Sequence, residues 1–364
     1  MADASVTRDD VAHIVEQAEA LLLAGDARGA ADALTHANRE ASDVRLEQAL
    51  VHIRHQGCAA CPAPSPRAPR PAIEPGIPGP TLFEIEAADL SVEAVREGFA
   101  DSGCVLVRGL VAPERVDRLV AGIDASFAAF DASELGEPYD ESWYVPFPMP
   151  DVISPESAGQ AVITPAGAPG ANPLPAVAHR RLVRKAGGVW TVDSPRMLFE
   201  FFELVDDLGI GDLITEFFGE RPFLSANKCT LRRVLPENMA GGWHQDGAFL
   251  GQEVAAFNAW FALTRCGRDA PGLDIVPARF DELLSAGGEH AYFKWSLSDE
   301  AVAAGAGPAS VVRPEFEAGD ALLFDHRLVH RTANSASMAH DRHAIESWWF
   351  APSAFPPSQL PLFY

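Results

Sequence analysis

The segment Trp243-His244-Gln245-Asp246-Gly247 concentrates the side chains best suited to chemistry. On an extended segment, residues i and i+2 point to the same side. His244 and Asp246 therefore present an imidazole and a carboxylate to a common point. Two histidines and one carboxylate on one face of an octahedron leave three positions open, the donor set of non-heme Fe(II) oxygenases. The second histidine has to come from a distant part of the chain. His330 is the favoured candidate: Gly319-Asp320 marks a turn, Ala321-Leu322-Leu323-Phe324 reads as a buried strand, and a polar turn leads into a return strand bearing His330. His326 shares strand parity with His330 and stays open as the rival. Arg342, twelve residues beyond His330, adds a guanidinium whose fork suits a dicarboxylate co-substrate.

Such a constellation needs strands to carry it. After residue 220 the chain holds short strand-like runs punctuated by Gly and Pro: 229–234, 257–263, 273–276, 321–324 and 345–350. This pattern predicts a β-sandwich or barrel. The preceding part reads as helix, with Val92, Val95 and Phe99 on one face, a strand at 104–107, a helix opening at Pro113, and a Leu- and Phe-rich helix over 197–218. A β core braced by helices on one side follows. Residues 131–190 are rich in Gly, Pro and Ala, with scattered aromatics including Trp143 and Tyr144, and read as a lid, a binding loop or a disordered segment. Trp348-Trp349 read as core packing.

The first 57 residues read as helices, with Thr7 and Asp10 resembling a capping box. The stretch from Ala20 to Asp43 weakly resembles one tetratricopeptide repeat. A single such unit cannot bury its own faces, so it reads as a cap on the main domain or as a dock for a protein partner. Residues 58–80 are Pro-rich and read as a linker, leaving 81–364 as the main domain. His52, His55, Cys58 and Cys61 run at three-residue steps; this reads as chance at a helix end rather than zinc ligation. The basic cluster Arg180 to Lys185 reads as a solvated face, its alternative being a counter-charge for an anionic substrate.

The chain has 364 residues, with 28 Lys+Arg against 51 Asp+Glu and a formal net charge of −23. That balance excludes the basic footprint of a nucleic-acid binder and electrostatic docking on anionic membranes. No apolar run is long enough for a membrane span. The opening residues show no secretory signal and the five cysteines are sparse, so a reducing, cytoplasmic setting is expected. No phosphate-cradling or dinucleotide Gly motif and no G-x-S-x-G elbow is found.

These motifs together resemble the phytanoyl-CoA dioxygenase (PhyH) family of Fe(II)/2-oxoglutarate oxygenases. Residues 103–110 are similar to the family's opening strand, Trp243 to Gly247 to its His-x-Asp motif, Asn258 to Leu263 to the following strand, Pro271 to Pro277 to its Gly-containing turn, and Gly319 to Thr332 to its distal-His segment. The resemblance implies a double-stranded β-helix (jelly roll) core, with His244, Asp246 and His330 as metal-binding and catalytic residues. It further implies Fe(II), 2-oxoglutarate and O2 as cofactors, Arg342 on the distal carboxylate of 2-oxoglutarate, Thr332 assisting there, and Trp260 lining the co-substrate pocket. Pro277-Ala278-Arg279-Phe280 stands where the family has Pro-Gly-Ser-His, which brings Arg279 forward as a substrate contact, with Arg232, Trp143 and Tyr144 as further candidates. The His330 to Arg342 spacing is one residue longer than the family's, leaving Arg331 as a fallback, and His340 and His343 lie close by.

The implied activity is hydroxylation of an unactivated C–H bond of a small molecule, with release of succinate and CO2. Related halogenases replace the carboxylate by a small residue, so Asp246 favours oxidation over halogenation. The same iron site also serves desaturation, epimerisation or cyclisation. A non-catalytic scaffold using the N-terminal helices is the reading of another class, and the intact set of His244, Asp246, His330 and Arg342 counts against it.

Overall fold

The computed structural model describes residues 8–60, 82–149, 176–238, 241–286, 295–306 and 310–364. Thr7, Cys61, most of the Pro-rich stretch and the middle of the expected lid fall outside them. Three helices come first: α1 (Arg8–Leu23), α2 (Ala27–Ala41) and α3 (Val44–Gln56). Asp26 and Asp43 open the second and third by accepting hydrogen bonds from the backbone N–H groups of Gly29 and Arg45. Then follow β1 (Glu84–Glu86), α4 (Val92–Asp101), β2 (Cys104–Arg108) and α5 (Pro113–Leu135), the last with Pro in its first turn, where the missing N–H leaves no bond unmade.

The region expected to be irregular is partly regular. Helix α5 runs into it, and α6 (Ala176–Lys185) and β3 (Gly188–Trp190) close it. The apolar stretch 197–218 is two helices, α7 (Pro195–Asp207) and α8 (Ile210–Phe218), because Gly209 takes φ +65° between them. The remainder is β4 (Phe223–Val234), α9 (Gly247–Leu250), β5 (Ala256–Ala262), β6 (Gly272–Ile275), α10 (Asp299–Ala306), β7 (Ala321–Phe324), β8 (His330–Ala333), β9 (Arg342–Phe350) and β10 (Pro361–Phe363). No helix among the described residues is long and apolar enough to cross a membrane.

The strands build a jelly-roll core. The larger sheet has the order β1-β2-β7-β5-β9-β4-β10, with β3 also paired to β4; the smaller joins β6 to β8. Period-two alternation sorts the side chains of the larger sheet onto two faces. On β5, Trp260 and Ala262 join Leu273 and Ile275 of the smaller sheet in one apolar cluster, so that cluster fills the space between the sheets. Phe257 and Phe261 face the other way, into a cluster built with α4, α5, α7 and α8. Strand β9 repeats the split: Trp348 faces the smaller sheet and Trp349 the helices, both fully buried. The expected helical brace on one side is this second layer.

The N-terminal helices lie against α7 and the C-terminal strand. Leu34, Leu46, Leu50 and Ile53 cluster with Phe363, Phe199 and Phe223. Glu47 of α3 is fully buried, and its carboxylate accepts a hydrogen bond from Arg196 Nε at 2.5 Å. Burial pushes this carboxyl up, and Arg196 pulls against it. Removing one member of a buried pair leaves a charge without compensation, whereas removing both avoids that loss. Arg196→Met is therefore expected to lower the unfolding free energy by about 2 kcal/mol, reduced from the fully buried case because Arg196 is partly exposed. Urea unfolding of Arg196→Met and of the double variant Arg196→Met/Glu47→Met checks this: the double variant should recover most of the loss.

Candidate metal centre and active site

The two histidines are brought together by the backbone before any side chain contributes. His244 and His330 are antiparallel bridge partners, each donating its N–H to the other's carbonyl at 3.0 Å. This pairing joins the segment before α9 to the start of β8. Asp246 follows two residues later at the mouth of α9, where Gly247 N–H donates to His326 O at 2.8 Å. One ligand atom each of His244, Asp246 and His330 lies within 4.8 Å of the others. Among the described residues this is the one such cluster of His, Cys, Asp and Glu.

The ring orientations are fixed. His244 Nδ1 lies 2.8 Å from Gly242 O, and His330 Nδ1 lies 3.1 Å from Leu328 O. A carbonyl oxygen only accepts, so each Nδ1 carries a proton and Nε2 is the nitrogen turned toward the common point. That is the arrangement a metal needs, held by the outer hydrogen bond that orients ligating histidines. The His244 imidazole is pushed down to about 4, by burial first and the neighbouring His330 second, and is neutral at pH 7. Asp246 Oδ2 lies 3.5 Å from His330 Nε2, and Lys228 Nζ lies 3.6 Å from its other oxygen. The donor set is chemically complete for a divalent transition metal.

The triad opens into a cavity of about 280 Å³. Arg342, Thr332 and Trp260 line it. Arg342 is 2% exposed and donates to Gly272 O at 3.1 Å, while among the described residues its Nε finds no hydrogen-bond partner. Its guanidinium lies 5.4 Å from the centre of the Trp260 ring. Burial, with Arg232 adding repulsion, pulls Arg342 down to about 10, still charged at neutral pH. A buried cation with an orphaned donor is costly unless an anion completes it. Among the described residues no carboxylate stands within ion-pair distance of it.

The other sequence candidates divide clearly. His326 is not the partner of His244: its Nε2 is spent on Gln252 O at 3.2 Å. Arg331 turns to the opposite face of β8, where it pairs with Asp274 at 2.9 Å and stacks on Trp243. His343 alternates out to Asp124 at 3.0 Å, and His340 lines a separate surface hollow. Arg279 is not at the pocket; it is buried against Asp325 at 2.6 Å. Tyr144 packs on Phe130 in the helix-side core, and Trp143 lies against the same cluster, so the aromatics expected in a lid here serve packing. Arg180 pairs with buried Asp193, Arg181 with Glu134 and Arg184 with Asp131, which accounts for most of the basic cluster. His55 Nδ1 contacts Pro361 O at 2.9 Å and Cys58 Sγ donates to Arg54 O.

Arg232 does line the cavity, paired with Glu346 at 2.6 Å. Lys228, Asn258, Glu346 and Trp190 also line it and were not singled out by sequence. The signal for Lys228 was present: Lys228, Thr230 and Arg232 are polar at alternate positions, and a strand read as starting at 229 misses the first. A register shift between Leu224 and Cys229 turns these residues inward while Cys229 and Leu231 face the helices.

Part of the chain is similar to known proteins. Residues 197–344 match the phytanoyl-CoA dioxygenase (PhyH) family. The matched segment contains the triad and Arg342. The match brings with it Fe(II), 2-oxoglutarate and O2 as cofactors and 2-oxoglutarate-dependent oxygenation as the class of activity. No curated protein matches the chain. Among solved structures, AviO1 from Streptomyces viridochromogenes Tue57 is 20% identical, covering 73% of this chain and 98% of its own, with a TM-score of 0.42. EctD from S. alaskensis, solved with 2-oxoglutarate and 5-hydroxyectoine, is 14% identical, covering 80% and 88%, with a TM-score of 0.47. The non-heme alpha-ketoglutarate-dependent carbocyclase SnoK from nogalamycin biosynthesis is 15% identical, covering 75% and 87%, with a TM-score of 0.42.

The cavity also holds an acid-sensitive pair, Glu346 with Arg232. Burial opposes charge on Glu346, but Arg232, Lys228 and the hydrogen bond from Arg232 together outweigh it, bringing the carboxyl from 4.5 to about 2. A lowered carboxyl contributes stability above its unfolded pKa and loses it as the pH falls toward the folded one. Unfolding free energies between pH 4.5 and 2 should therefore fall less steeply in Glu346→Gln than in the wild type, by up to about 3 kcal/mol across that window. Parallel curves would contradict the assignment.

Proposed function

We propose that this protein is an Fe(II)- and 2-oxoglutarate-dependent dioxygenase that hydroxylates a C–H bond of a small molecule, with succinate and CO2 as co-products. The single observation supporting it most is the convergence of His244, Asp246 and His330, both imidazoles with Nδ1–H turned to a backbone carbonyl and Nε2 toward the common point, beside a buried Arg342 that has no anionic partner among the described residues. The oxygenase domain is proposed to span 81–364, with 1–57 as a helical segment docked on it.

In this reading His244, Asp246 and His330 hold Fe(II), and Arg342, Thr332 and Trp260 bind 2-oxoglutarate. When bound, iron with 2-oxoglutarate and O2 supplies an oxidant able to break an unactivated C–H bond and return oxygen to carbon. The chain's own work is positional. The Gly242 and Leu328 carbonyls keep the two rings in the ligating tautomer. Arg342 takes the far carboxylate of 2-oxoglutarate in fork geometry, and the face of Trp260 backs the guanidinium. Phe249, Trp295 and Phe324 wall the metal side with apolar surface, which keeps water from competing and fixes which C–H bond is presented.

O2-dependent formation of succinate from 2-oxoglutarate checks this. Asp246→Ala should lower the rate about 100-fold or more, since removing a ligand costs at least as much as removing its outer support. Arg342→Met should raise the KM for 2-oxoglutarate about tenfold or more. Succinate formation undiminished in Asp246→Ala would refute the proposal.

A further inference from the structure

The charges lining the cavity do not cancel. Among the described residues the lining cations are Lys228, Arg232 and Arg342, and the lining carboxylates are Asp246 and Glu346. Arg232 and Glu346 neutralise each other at 2.6 Å. His179 lies edge-on to Trp190 at 4.9 Å and burial pushes it down to about 4; His244 and His330 enter the count as neutral ligands, because a metal binds only the unprotonated imidazole nitrogen. Fe(II) brings two positive charges and 2-oxoglutarate two negative ones, so the loaded site keeps the same excess of one positive charge.

The excess has a location. Arg342 is satisfied by the distal carboxylate in the proposed arrangement, and Asp246 by the metal. Lys228 is then left, its ammonium 4.2 Å from the centre of the Phe249 ring and its side chain 21% exposed. Its nearest carboxylate oxygen is Asp246 Oδ1 at 3.6 Å, while Oδ2 faces His330; a metal on Oδ2 would share the single charge of that carboxylate with Lys228 and leave the ammonium under-compensated. The same cavity is lined by apolar side chains, Leu182 and Val183 of α6, Ala186 just beyond it, Trp190 and Phe249, the last in contact with the ammonium. A partly buried ammonium without a counter-ion is unfavourable, and a carboxylate that supplies one gains a charge-assisted bond.

We propose that Lys228 binds the carboxylate of the substrate, and that the substrate is an apolar or aromatic monocarboxylate. This rests on the oxygenase reading above and adds to it the substrate class and the residue that selects it.

Paired probes test it. Protein loaded with Fe(II) and 2-oxoglutarate under anaerobic conditions is titrated calorimetrically with 3-phenylpropanoate and 3-phenylpropanamide, and with hexanoate and hexanamide. Loading is verified first by the visible absorption of the Fe(II)–2-oxoglutarate complex. At least one acid should bind about tenfold more tightly than its amide with that absorption retained. Lys228→Met should keep the absorption and bring acid and amide within about twofold, while Lys228→Arg should keep the preference. Equal affinities in the wild type, a preference that survives Lys228→Met, no binding by either acid, or an acid that erases the absorption by displacing 2-oxoglutarate would each overturn the inference. Absence of the absorption before any probe is added refutes the oxygenase reading instead, and the charge count falls with it.

Discussion

The hydrogen-bonded pairing of His244 with His330 is the constraint on which the site depends. Two segments more than eighty residues apart in sequence are locked in register by two backbone bonds of 3.0 Å. Opposed residues in an antiparallel pair have neighbouring Cβ atoms. The two rings therefore lie with their centroids 4.3 Å apart without any attraction between them being required. Each ring then turns its Nδ1 to a carbonyl two residues earlier on its own segment, and the remaining lone pairs meet beside Asp246. The cost of this arrangement is visible in the depressed basicity of His244, set by burial first and by the neighbouring His330 second. A divalent cation relieves it, and the triad makes physical sense as a place for one.

The larger sheet supplies the rest through alternation. Strands β4 and β9 present Lys228, Arg232, Arg342 and Glu346 to the inside, while Leu231, Ile345 and Trp349 anchor the same strands to the helices. The polar face is tolerated because its charges are mostly matched, and the residual mismatch is where ligands are expected. Stability is thus concentrated on the helix side of the sheet and chemistry on the other. The N-terminal helices reinforce the helix side through Glu47, Arg196 and the cluster around Phe363, and none of their described residues lines the cavity.

Much of this was legible in the chain. The His-x-Asp spacing, the turn and buried strand before His330, and the strand-like runs after residue 220 depend on local rules, and local rules act within a few residues. What was missed depended on tertiary context. His326 and His330 share parity on paper, but residues 325–329 form a turn, so parity never applied to His326. Arg279 was drawn toward the pocket by its place in a motif, yet Asp325 claims it. Trp143 and Tyr144 looked available because their surroundings are irregular, but the helix-side core absorbs them. Lys228 escaped because a strand started at 229 leaves it out, although it alternates with Thr230 and Arg232; that these three face inward is set by the register shift in β4, which depends on pairing with β9.

The central claim is that His330, and not His326, completes a metal site that also takes 2-oxoglutarate. Anaerobic addition of Fe(II) and then 2-oxoglutarate to metal-free wild type, His326→Ala and His330→Ala tests it, read by the visible absorption of the ternary complex. The account predicts the absorption in wild type and His326→Ala, and its loss in folded His330→Ala. An absorption that survives in His330→Ala, or is absent from folded wild type that binds Fe(II), would contradict it.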